Sequence, residues 1–204
     1  MNLEEEFCNE LRKLNLMNVY SLTEAVRKKL IFKSQKDWDK FTELAIQYIE
    51  KAENKFDKEF LVRLIGDKYC TKAIDYLIEL FKKTEDDSLR WVIGNSLSLI
   101  KIPSEKISSI SELIINKKYG RGRQMLLDIY ARNKKYADFD AIYRVLDDPD
   151  VSLHAISALG QLGKDQNDIE KIKPLLKHEN KYIRKRAEKA IGYITKRMAK
   201  IKNK

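Results

Sequence analysis

Apolar residues recur along this chain at i, i+4, i+7, i+8 and i+11, the spacing of one buried face of a helix. The clearest copies are Val151–Leu162 and Ile183–Ile194. Both carry a β-branched residue first, Ala fifth and eighth, an aliphatic residue ninth, Gly tenth and an aliphatic residue twelfth. The segment Leu89–Ile100 keeps the aliphatic residues first, ninth and twelfth and a small residue eighth. A weaker copy runs over Arg121–Ile129, and the faintest is Phe60–Gly66. Spacings near thirty residues mark an internal repeat. Each copy is accompanied by a second apolar helix, such as Ala73–Phe81 or Ile169–Leu176. Turn formers separate the two: Glu85–Ser88, Asp147–Asp150 and His178–Asn180. Asp and Ser in those turns suit helix N-caps, and Pro149 suits a first turn. One helical pair cannot bury both of its faces, whereas stacked pairs can, so the pattern predicts a solenoid with capped ends.

The first 55 residues read as three more helices, over 3–16, 19–32 and 37–51, which form a cap and a first repeat. Repeats follow over 56–195, and 196–204 is a basic tail. No linker divides the chain, so 1–204 is expected to be one domain. Only seven Gly and three Pro punctuate 204 residues, fewer than a strand-rich chain needs for its turns.

The segments Leu146–Val151, Ala158–Gly160 and Ile183–Ala187 resemble HEAT repeats, of the subtype found in phycobilisome-lyase-like and small bacterial HEAT-repeat proteins. The resemblance covers about 56–195. It implies an all-α fold, a right-handed α-α superhelix (HEAT-like solenoid) of about five to six helical pairs. It also implies that the second helix of each pair lines a concave face used for docking, as in bacterial adaptors and antidotes to toxins. Function in such families is built on variable positions rather than on the fold.

With positions 1, 5, 8, 9 and 12 buried, positions 4, 7 and 11 form a ladder on that face. Its members are Phe60, Arg63 and Asp67; Asn95 with Trp91; Arg121, Gln124 and Asp128; His154, Ser157 and Gln161; and Arg186, Lys189 and Tyr193. Aromatic and Arg anchors with mixed charge suit a protein partner. The bland alternative is a solvated helix face, and for Trp91 packing between repeats. Arg90 and Arg184, each second in its copy, read as structural partners of the preceding turn. The run Lys117–Gln124 places Gly and basic residues before a helix, where free backbone N–H groups can hold an anion, or else it is a turn with Gly122 small for packing.

Charge sharpens this picture. Net charge is +10, yet 181–204 alone carries ten Lys/Arg against one acid, Glu188, and the rest is nearly neutral. The basic end suits nucleic acid through residues 181–204, or serves as a solvated cap of the terminal repeat. HEAT-type alkylpurine DNA glycosylases offer a second resemblance, but its nearest counterpart is Trp91 with Asn95, which lacks a carboxylate.

No metal-ligand spacing or nucleophile motif surrounds His154 and His178, and Cys8 and Cys70 stand alone. No catalytic residue, cofactor or metal is expected, nor a small-molecule ligand. The acidic start and the absence of a long apolar run point to a cytoplasmic protein. The expected function is a non-catalytic scaffold that holds another protein.

Overall fold

In the computed structural model, described for residues 2–21, 23–24 and 32–202, every regular element is helical and no strand occurs among the described residues. The chain divides into two compact units, Met1–Lys101 and Ile102–Lys204.

The first unit contains α1 (Leu3–Lys13), α2 (Gln35–Lys51), α3 (Lys55–Leu64), α4 (Ile74–Lys83) and α5 (Asp87–Leu99). The helix expected over 19–32 lies largely outside the described residues. Side-chain caps set the helix starts. Asn2, Ser34, Asn54 and Asp86 each accept a backbone N–H of the first turn, which satisfies donors that have no partner inside the helix. Helices α2 and α3 form one pair and α4 and α5 the next, with α3 stacked on α5. Phe7, Phe41, Leu61, Leu77, Ile93 and Leu97 fill the core.

The second unit contains α6 (Ile107–Ile115), a 3-10 segment Lys117–Leu126 leading into α7 (Leu127–Arg132), then α8 (Phe139–Arg144), α9 (Ser152–Leu162), α10 (Gln166–Ile172) and α11 (Lys181–Lys202). The pairs α8–α9 and α10–α11 stack so that α7, α9 and α11 form one layer, while α6 packs on α8 in the other. Each unit is therefore a stack of helical pairs, an all-α helical repeat with solenoid-type packing.

The buried positions follow the sequence pattern. Leu89, Ile93, Ser96, Leu97 and Ile100 are buried, as are Val151, Ala155, Ala158, Leu159 and Leu162. In the last copy Ile183, Ala187, Ala190 and Ile194 are buried and Ile191 half-buried. The tenth residue of one repeat meets the small eighth residue of the next. A Cβ on Gly160 would lie 2.9 Å from the Ala190 Cβ, and one on Gly66 would lie 3.1 Å from the Ser96 Cα. The small pairs set how closely neighbouring helices approach.

The Asp147–Asp150 turn does more than begin a helix. Asp148 is buried, accepts the Asp150 N–H at 3.1 Å and binds Nη1 of the fully buried Arg123 at 2.9 Å. Arg123 also donates to the carbonyls of Ile114 (3.0 Å) and Gly120 (2.8 Å), while its Nη2 makes no hydrogen bond and faces Asp150 at 3.7 Å. Burial pushes the Asp148 carboxyl up, but the guanidinium and the backbone N–H outweigh it and hold the carboxyl below its ordinary range.

Cys8 and Cys70 are buried free thiols, and burial pushes the Cys70 thiol up to about 11. No described helix is long and apolar enough to cross a membrane.

Candidate functional site

The structure gathers part of the expected ladder in the second unit. Asp128 on α7, His154, Ser157 and Gln161 on α9, and Arg186, Lys189 and Tyr193 on α11 follow one another across the stacked layer. The Arg186 guanidinium donates to Ser157 Oγ at 2.7 Å, linking position 4 of one repeat to position 7 of the one before. His154 is half-buried, and burial lowers its pKa, with Arg186 adding to that effect and Asp128 opposing it.

Two ladder residues fall elsewhere. Gln124 donates to the Asp150 carbonyl at 2.8 Å, and exposed Arg121 points toward the Asp150 carboxylate at 3.9 Å. The reason is a register difference in the weak repeat. Gly122, Leu126, Ile129 and Tyr130 are buried, so Gly122 holds the first position and Arg123 the second. Arg123 takes the carbonyl nine residues back, as Arg90 takes that of Phe81. The basic run Lys117–Gln124, read as a possible anion cradle, finds its anions in the chain itself: Asp148 and Asp150. Its turn is made by Gly120, at φ 48° and ψ −138°, a conformation that favours glycine.

Arg90 and Arg184 are held by the turns before them. Arg90 is buried, pairs with Asp87 at 2.6 Å and also donates to the Thr84 carbonyl. Arg184 donates to the carbonyls of His178 and Glu179, both at 2.7 Å.

In the first unit Phe60, Trp91 and Asn95 are half-buried and Arg63 is exposed, 3.8 Å from Glu59. Asp67 is not on the helix face, because α3 ends at Leu64. It accepts the Tyr69 N–H at 3.0 Å and lines an open pocket of about 350 Å³ with Phe32, Trp38 and Tyr69.

The feature that stands out lies between α9 and α11. Three adjoining hollows run along α11 and share their walls. One of about 240 Å³ is lined by Leu153, Tyr182, Lys185, Arg186 and Lys189. The next, about 250 Å³, keeps Arg186 and Lys189 and adds Ser157, Gly160, Gln161, Ala190 and Tyr193. The third, about 470 Å³, keeps Gly160, Gln161 and Tyr193 and adds Lys134, Lys196, Arg197 and Lys200. Together they form a groove floored by the Gly160–Ala190 contact, and no acid lines it. Among the described residues Lys185, Arg186, Lys189, Lys196 and Lys200 form no ion pair. By contrast Lys55 sits 2.8 Å from Asp86 and Lys72 sits 2.5 Å from Glu43 in the first unit. Arg197 is occupied by the end of α9, donating to the carbonyls of Gly163 and of Gly160, the latter at 3.1 Å. A cation there complements the negative end of a helix.

Sequence reasoning missed Tyr182. It precedes the Ile183 string and so fell outside the repeat frame, yet it is 63% exposed and lines the groove. No group of three or more His, Cys, Asp or Glu is placed to hold a metal among the described residues.

No family model matches the chain, and no curated protein matches it. Among solved structures, an engineered protein aligns over 96% of this chain and 98% of its own, at 15% identity and a TM-score of 0.47. A designed armadillo repeat protein aligns over 78% and 92%, at 12% identity and a TM-score of 0.43.

Proposed function

We propose that this chain is a non-catalytic, cytoplasmic docking scaffold of HEAT type that holds an acidic macromolecule in the α9–α11 groove. One observation carries the reading: the groove cations have neither an acid in the lining nor an ion pair to neutralise them. Clustered like charges cost folding energy through self-repulsion, and a polyanion removes that cost on docking. The groove also draws such a partner in by long-range attraction, which falls as salt rises.

The reading from the sequence, a protein partner of adaptor or antidote type, fits as a protein with an acidic surface. Gln161, Arg186 and Tyr193 would be its polar and aromatic anchors. A nucleic acid is the second reading. A specific observation favours it: α11 presents a second exposed aromatic ring, Tyr182, in line with the cations.

The test titrates the full chain, at low salt, with poly-glutamate and with nucleic acid. Binding to at least one, lost in the Lys189→Glu/Lys196→Glu variant, is the expected result. Absence of binding to both removes the docking reading.

A further inference from the structure

We infer that the groove's partner is a single-stranded polynucleotide, whose phosphates meet the α11 cations and whose bases stack on Tyr182 and Tyr193. This rests on the groove being a polyanion dock and names the polyanion.

Helix geometry carries the argument. Tyr182 and Tyr193 are eleven residues apart on α11, which returns them to within about 20° of the same line and separates them by about 16 Å along the axis. Both tyrosines are largely exposed, at 63% and 57%, and the Lys181 ammonium lies over one face of the Tyr182 ring, 5.3 Å from its centre. Arg186 and Lys189 fall between them on that line, and Lys196 and Lys200 continue it beyond Tyr193. The face therefore alternates ring, cations, ring, cations. A polymer with a phosphate and a flat base at every unit can meet both kinds of group along one face.

An acidic protein surface matches less of this. Protein docking energy concentrates in anchors sunk into desolvated apolar pockets. The α9 wall offers Leu153, Ser157, Gly160 and Gln161, of which only Leu153 carries a large apolar side chain, so the groove suits a charged chain. Exposed tyrosine faces, in turn, need bases that are already unstacked, as in single strands.

The experiment measures fluorescence anisotropy of labelled oligo-dT and oligo-U of about 12 nucleotides, enough to span the face. A duplex of equal length and poly-glutamate serve as the other probes. Both tyrosines are exposed, so their replacement spares the core. Tyr182→Ala and Tyr193→Ala are each expected to weaken single-strand binding by about 5- to 150-fold, while Tyr→Phe at either position retains most of it. With the four aligned cations engaged, log affinity should fall with log salt at a slope of about −2.8, and Lys189→Ala should lower its magnitude by about 0.7.

Three outcomes overturn the inference: poly-glutamate bound while neither oligonucleotide is, a preference for duplex, or single-strand binding indifferent to both Tyr→Ala changes. Each leaves the polyanion dock standing. Failure of every probe at low salt would bring down the dock itself.

Discussion

Gly160 on α9 and Ala190 on α11 touch so closely that a methyl group on the glycine would sit 2.9 Å from the alanine Cβ and 3.0 Å from its Cα. The obstruction is partly backbone, so it cannot swing aside. Gly160→Ala is expected to force α9 and α11 apart, at a net cost of about 1–2 kcal/mol after the gain in helix propensity. Gly192, two residues further along α11, has nothing within 4 Å of its Cβ position. Gly192→Ala should therefore stabilise by about 0.5–1 kcal/mol. Denaturant melts of the two variants compare an identical chemical change in opposite surroundings. Equal effects would show that the contact does not set the helix spacing.

The Arg123–Asp148 pair ties the start of α7's repeat to the turn before α9. Asp148→Ala leaves a buried guanidinium without its carboxylate and is expected to cost about 3–5 kcal/mol. Arg123→Met combined with Asp148→Asn should cost less than the two single changes together, because neither charge is left alone. The acid response has a definite sign. The folded carboxyl lies below its unfolded value, so its stabilisation is complete above the unfolded pKa and is lost as pH falls through the folded one. Thermal melts below about pH 4 should show a steeper loss in the parent chain than in Asp148→Asn.

His154 makes an opposite demand on the same layer, since it is half-buried and favours the neutral form. Its folded pKa lies below the unfolded one, so the unfolded chain takes up the proton first as pH falls. The parent should lose stability between about pH 7.5 and about pH 5.5, and His154→Gln should lose less over that interval. Parallel melting curves for the two would mean that the ring is solvated in both states.

How far the sequence could be read depended on what its periodicity encodes. Ala155, Ala187 and Leu97 are all fully buried, as the helical spacing requires, because small and aliphatic residues betray a buried face by type. The weak repeat hid its register for the same reason. Its second position is a fully buried Arg123, which reads as surface, and its partner Asp148 lies in the next repeat. The spacing alone thus puts Arg121 and Gln124 on the docking ladder, whereas the structure turns both to Asp150. The pattern also carries Asp67 onto a helix that ends at Leu64, because Gly66 continues the repeat spacing past the last helical turn. The concentration of cations after residue 180 was plain from composition. Their alignment with Tyr182 depends on α11 beginning at Lys181 and running unbroken to Lys202, which composition does not encode.

On the proposed function, the α9–α11 groove, and not the chain's general basicity, holds the partner. The most direct measurement compares two charge reversals of equal size by polyanion binding at low salt. One changes Lys189, Lys196 and Lys200 to Glu in the groove. The other changes Lys58, Lys68 and Lys83 to Glu in the first unit. The account predicts that the groove reversal abolishes binding while the other leaves it within a few-fold of the parent. Equal losses from the two would contradict it.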